Sequence, residues 1–164
     1  MSLQTVLTHL QRYQLEQKVL QFEASSATVQ QAAEVLGVIP ARIAKTMAFR
    51  KQEEIMVVVT AGDAKIDNAK YKAFFGVKAK MLQGEEVEQL TTHPIGGVCP
   101  FGLPEGVCVY LDESLKRFDT IFPACGTPSS AIELSCDQLA RIVPEAEWVS
   151  ICKSWQVEEL GQQV

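Results

Sequence analysis

The run TMAFR-KQEE-IMVVVT, residues 46–60, decides the fold class. Its first part, where the helical period of the preceding residues gives way, reads as a strand. Its last part is a short apolar run rich in valine, the pattern of a strand buried on both faces. The polar KQEE between them reads as a connection, so the two runs form a strand pair. Upstream of this pair the period is helical. Leu3, Val6, Leu7, Leu10 and Tyr13 share one helical face, with Ser2 placed to cap it. Residues 18–22 read as a short strand. Thr28 and Gln31 make a capping-box pattern for a helix ended by Gly37, and Pro40 suits the first turn of a short helical segment, PARIAK.

Downstream, Asp67 can cap NAKYKAFF, a helix closed by Gly76. VKAKML reads as a strand and EEVEQL as a short helix. The segment HPIGGVCPFGLPEG is too rich in glycine and proline to be regular throughout. Strand GVCVYL follows, and strands near 120–124 and 131–134 flank CGTPSS. Ser135 or Asp137 starts a helix through DQLARIV, and EWVSIC reads as a last strand. Helices and strands mix without strict alternation, which predicts an α/β (mixed α+β) domain around a curved sheet. The 164 residues suit one domain over 1–164, with residues 153–164 as a C-terminal tail.

Composition narrows the function classes. A hydrophobic fraction of 47% and a charged fraction of 21% exclude a disordered or low-complexity chain. The net charge of −5 argues against a general nucleic-acid coat. Yet residues 42–80 carry nine Lys and Arg against four acids, so this stretch is +5 and the remainder −10. Such a basic middle can meet a phosphate-bearing partner at one place, or it can be a set of solvated surface lysines. The five cysteines are odd in number, show no C-x-x-C pair, and have no histidine at zinc-finger spacing. That pattern fits reduced thiols and no metal. The first residues lack a signal-peptide pattern and apolar runs are short, so a cytoplasmic protein without a membrane segment is expected.

Three places can carry chemistry. Lys45 sits among Ile43, Ala44, Met47 and Phe49, where a lysine either snorkels outward or holds an anion or carbonyl oxygen in a cleft. The loop from His93 to Gly102 places adjacent glycines, Gly96 and Gly97, ahead of Val98, Cys99 and Pro100. It is either a structural turn or a set of amides preorganised for an oxyanion or ester carbonyl. The segment from Gly126 to Ser130 lacks a Walker lysine and can form one wall of a pocket. Cys99 and Cys125 are nucleophiles only if a base makes thiolate, and otherwise small buried thiols.

Together the runs IAKTMAF, AGDAKIDNAK, GGVCPFG and GTPSSAIEL, in this order and spacing, resemble the YbaK-like aminoacyl-tRNA deacylases, which include the editing domain of bacterial prolyl-tRNA synthetases. The resemblance spans about residues 2–152. It implies a strongly curved, barrel-like mixed sheet with flanking helices. It also implies hydrolysis, without a cofactor, of the ester joining a wrong amino acid to tRNA, typically tRNA(Pro), and prolyl-tRNA synthetase as a partner. The family's essential lysine falls on Lys45, its glycine loop on Gly96, Gly97, Val98, Cys99 and Pro100. Asp67 and Lys70 match positions near the pocket mouth, and Thr46, Phe101, Gly126 and Thr127, within the motifs, are implied as substrate contacts. Phe22 and Ala124 stand where cysteine-specific members carry tyrosine and serine. The resemblance thus implies a less polar pocket for a small side chain: Ala, Ser, Thr or Cys. Two other readings remain: a module of this fold that binds without turnover, and a thiol hydrolase built on Cys99.

Overall fold

The computed structural model describes residues 2–25 and 28–155. Helix α1 (Ser2–Gln11) leads through a 3-10 turn into β1 (Leu20–Gln21), and α2 (Val29–Leu36) follows. The hairpin read from the sequence forms as β2 (Ile43–Lys51) and β3 (Glu54–Ala61). It runs in antiparallel register from Ala44 opposite Ala61 to Lys51 opposite Glu54. The strands extend further into KQEE than the polar residues suggest, leaving a two-residue turn in which Gln52 takes a φ of 57°. Every residue from Met56 to Ala61 is at most 2% exposed, as expected of a strand covered on both faces.

Next come β4 (Lys65–Ile66), α3 (Asn68–Phe75) and α4 (Glu85–Thr91), then β5 (Cys108–Asp112), β6 (Phe122–Pro123) and β7 (Ser130–Ala131). Helix α5 (Cys136–Ile142), β8 (Glu147–Val149) and β9 (Cys152–Lys153) complete the order. The main sheet has the order β6-β2-β3-β5-β8, with only the β2–β3 pair antiparallel. Two-stranded pieces β1–β7 and β4–β9 flank it. This is the expected curved mixed sheet with helices around it. One core holds Val6 and Leu10 of α1, the β3 valines, Leu111, Leu115, Leu139 and Ile142. No described helix is long and apolar enough to cross a membrane.

The caps follow the local signals. Thr28 and Gln31 form the capping box of α2, with Gly37 left-handed at its end. Asp67 Oδ1 accepts from the Ala69 and Lys70 amides, which also holds its carboxyl below the usual range. Ser135, not Asp137, caps α5, again in a capping box.

Several local expectations are corrected. PARIAK is helical only as a 3-10 turn at Pro40–Arg42, because Ile43 already pairs with Phe122 and the strand begins there. VKAKML forms no full strand. It touches β2 through one bridge, Met81 to Phe49, and two hydrogen bonds beside it. Ser2 lies inside α1, and its hydroxyl is used on the His93 ring. Lys153, first residue of the expected tail, is in β9, and Trp155 lies against the Arg117 guanidinium at 5.0 Å. The rest of that tail lies outside the described residues.

Candidate active site

Strand β2 runs beside a cavity of about 410 Å³. Helix α2 supplies Val29, Ala32 and Leu36, the i, i+3, i+7 stripe of its apolar face. The segment 81–84 and Val87 of α4 close a second side, Ile95, Gly96 and Val98 a third, and Phe122, Ala124, Ser130 and Ala131 a fourth. Among the described residues that line it, Lys45 carries the only charge.

Lys45 projects from β2 opposite Thr60 and is half-buried. Its Nζ has no hydrogen-bond or ion-pair partner among the described residues. Burial therefore lowers its pKa, only partly offset by Cys152 and the Asp63 carboxylate. Of the nine basic residues in the 42–80 stretch, it is the one that lines the cavity. Arg42 is spent on the Thr120 carbonyl and Glu133, Arg50 on Glu86, and Lys70 on the Cys152 carbonyl at 3.1 Å.

The glycine loop is held by its own backbone. The Gly97 amide donates to the Pro94 carbonyl at 2.9 Å, and the Gly97 carbonyl accepts from the Gly126 amide at 3.0 Å. The Gly97 amide is thus not free for a ligand, and since Cys99 is fully buried outside the cavity lining, the expected amide set narrows to Val98 at the cavity. The Val98 amide has no acceptor among the described residues. Gly96 takes a φ of 92°, open to glycine at no steric cost.

His93 fixes the loop from beneath. It is fully buried, its Nε2 donates to the Phe101 carbonyl at 2.7 Å, and its Nδ1 accepts from Ser2. Burial lowers its pKa, so the ring is held neutral. The structure does bring Cys99 to His93, with Sγ 3.5 Å from Nε2. However, Cys99 is 0% exposed and its thiol is pushed up to about 12 by burial. Thiolate is scarce there and water is excluded, which disfavours a Cys99 nucleophile. Cys125 is equally buried, and burial raises its pKa as well. In the native protein Cys108 and Cys136 should react with iodoacetamide first, while Cys99, Cys125 and Cys152 stay protected until denaturant is added. Peptide mass spectrometry reads this directly, and early labelling of Cys99 would revive the thiol reading.

The expected site residues thus divide. Lys45, Thr46, Gly96, Val98 and Ala124 come together on the cavity wall. Gly97, Cys99, Gly126 and Thr127 lie behind that wall as its support, and Thr127 Oγ1 donates to Ser130 Oγ at 2.8 Å. Pro100 and Phe101 lie outside the lining, Phe101 wholly in the core against His9. Phe22 donates its amide to the Ser129 carbonyl beside β1 and does not line the cavity. Asp67 and Lys70, tied to the α3 cap and the Cys152 carbonyl, do not line it either. Sequence reading missed the α2 stripe. Its helical spacing was visible, but not the gap that it faces.

A family model described as the aminoacyl-tRNA editing domain matches residues 23–142. The uncharacterised protein YwhH of Bacillus subtilis (strain 168) is 52% identical over 157 residues, covering 95% of this chain and 100% of YwhH. A proline–tRNA ligase of Bacillus cytotoxicus is 30% identical over 88 residues, 53% of this chain but only 16% of the ligase. Among solved structures, a proposed trans-editing enzyme for prolyl-tRNA synthetase superposes with a TM-score of 0.83 at 26% identity. That superposition covers 93% of this chain and 97% of the other.

Proposed function

The chain belongs to the family of aminoacyl-tRNA editing domains, and from that membership we propose that it deacylates a mischarged tRNA in trans. The substrate is tRNA(Pro) carrying a small wrong amino acid, Ala, Ser, Thr or Cys, and the domain serves prolyl-tRNA synthetase by clearing such errors. One observation carries the reading: a half-buried lysine, without a partner among the described residues, is the only charged residue among those lining a largely apolar cavity that Val98 of the glycine loop also lines.

An aminoacyl ester is already activated, so hydrolysis needs positioning and carbonyl polarisation more than a strong nucleophile. The site offers those two things. The Val98 amide stabilises charge on the ester carbonyl oxygen, and the Lys45 ammonium holds the terminal phosphate or polarises that carbonyl. A water oxygen bonds to the acyl carbon, the bond to the ribose oxygen breaks, and the ribose oxygen takes the proton. A site of this kind exists because one or two methylenes give a synthetase only ~10–200-fold discrimination. Action in trans is supported by YwhH, a protein of similar length that this chain covers end to end.

The test is a panel of tRNA(Pro) charged with Ala, Ser, Thr, Cys or Pro. At least one of the first four should be deacylated about 10–200-fold faster than Pro-tRNA(Pro), the scale on which an apolar pocket tells side chains apart. Binding of all five without turnover would leave the non-catalytic module as the better reading.

A further inference from the structure

Six consecutive residues of β2, Ile43 to Ala48, line the cavity. A strand turns alternate side chains to opposite faces, so a cavity on one face meets every second residue. A cavity that meets six in succession lies along the strand's edge. That edge is the one away from β3, and both its ends are occupied. Ile43 and Ala44 pair with Phe122 and Pro123. Further on, the Ala48 carbonyl accepts from the Leu82 amide at 3.0 Å and the Arg50 amide donates to the Lys80 carbonyl at 2.9 Å. Between these two seats, at residues 45–47, no segment among the described residues pairs with the edge.

The direction of the unpaired groups follows from parity. In an antiparallel pair, the N–H and C=O of one residue point to the same side, and successive residues alternate. Ala48 and Arg50 use theirs on the outer edge, so Thr46 directs its N–H and C=O outward as well, into the cavity. A second observation falls on the same residue. The Thr46 hydroxyl oxygen is out of contact with solvent and has no hydrogen-bond partner among the described residues. Unmet polar groups in a largely apolar space are costly unless a ligand completes them.

We propose that the main chain of Thr46 seats the aminoacyl group as a one-residue antiparallel strand. The Thr46 carbonyl accepts from the ligand's α-ammonium, and the Thr46 amide donates to its acyl carbonyl oxygen. This rests on the deacylase reading and deepens it: the site takes α-aminoacyl groups with a free amino group, whatever their small side chain. The gap fits this occupant. It is a single residue wide, whereas strand addition by a peptide needs several consecutive open positions. An α-aminoacyl group has one nitrogen donor and one carbonyl acceptor at the spacing of a strand residue. It also brings the acyl carbonyl to β2 next to Lys45.

The experiment uses two non-hydrolysable probes, 3'-amino-3'-deoxyadenosine acylated with L-alanine or with L-lactic acid. They differ only in carrying an ammonium or a hydroxyl. With the 15N-labelled chain, the Thr46 amide resonance should shift on saturation with the alanyl probe. The lactoyl probe should bind at least about tenfold more weakly, the scale of losing a charge-assisted hydrogen bond. Thr46→Pro should bind the alanyl probe at least about tenfold more weakly than Thr46→Ala. Both lose the side chain, only proline loses the N–H, and an outward N–H on an open edge is where a strand tolerates proline. An unmoved Thr46 amide, equal affinities for the two probes, or no binding of the alanyl probe overturns the inference. Should Thr46→Pro not fold, the two-probe comparison on the unaltered chain decides. Turnover of a mischarged tRNA together with equal probe affinities overturns this inference alone. Selective alanyl binding without turnover of any tRNA overturns the deacylase reading alone.

Discussion

Lys45→Ala is expected to lower deacylation of the best mischarged tRNA by about 10²–10³-fold, the usual cost of removing one preorganised charge or donor. Its melting temperature should stay within a few degrees of the parent. The two halves of this result have separate causes. The Lys45 ammonium has no partner among the described residues, so its removal leaves no orphaned carboxylate and breaks no hydrogen bond. Burial already disfavours its charged form, lowering its pKa below the ordinary 10.5. In the unfolded chain the group returns to that ordinary value. Between the lowered folded value and 10.5 the unfolded state binds more protons, so stability rises with pH across that window. Below the window the buried charge costs stability in full. Lys45→Met should therefore be at least as stable as the parent at neutral pH, and the gap should close as pH rises. Activity should fall through the same lowered pKa, because the ammonium is the working form. A lysine retained against stability is the mark of a site rather than of a scaffold. Full activity in Lys45→Ala would remove it from the mechanism.

What the sequence made legible was local. The hairpin was visible because two strand-like runs, TMAFR and the valine-rich IMVVVT, are joined by the short polar KQEE, a pattern complete within fifteen residues. Thr28 with Gln31, Asp67 and Ser135 announced helix starts, since a cap is satisfied by amides two or three residues away. Pro40 misled for the same reason. It reports only the next turn, while the strand at Ile43 is set by Phe122, far along the chain. The site divides the same way. Lys45 and the glycine loop stood out through resemblance and composition, and they meet at the cavity. The wall of α2, the seat of segment 81–84 and the open edge at Thr46 depend on which elements pack together, and no short window records that. Phe101 was misplaced because a motif carries its supporting core residues along with its contacts.

Gly97→Ala is expected to be the most damaging small substitution in the loop, costing more than about 3 kcal/mol, the upper end for forced overpacking. A Cβ at Gly97 would lie 2.5 Å from the Gly126 carbonyl carbon, 2.6 Å from the Thr127 nitrogen and 2.7 Å from the Gly126 oxygen. All three are backbone atoms, so no side-chain rotation relieves the clash. Retreat of Gly126 is blocked in turn, because Ser2 of α1 packs against it closely enough that a Cβ there would meet Ser2 Oγ at 2.7 Å. Ser2 is itself tied to His93, and His93 to the Phe101 carbonyl. The two loops must therefore part, breaking the Gly126-to-Gly97 hydrogen bond and drawing Gly96 and Val98 off the cavity wall. For a domain of this size the melting temperature should drop by about 6–12 °C. Deacylation should also fall when measured well below that temperature, since the Val98 amide moves with the loop. Gly76→Ala, at the end of α3 and outside the cavity lining, is the fitting control. Its φ of 81° is left-handed, but no atom lies within 4 Å of the added carbon. It should lose about 1 kcal/mol, the cost of a non-glycine left-handed residue, and keep its activity. A Gly97→Ala protein that melts with the parent would mean that the loops yield easily, and the rigid amide rim would then have to be given up.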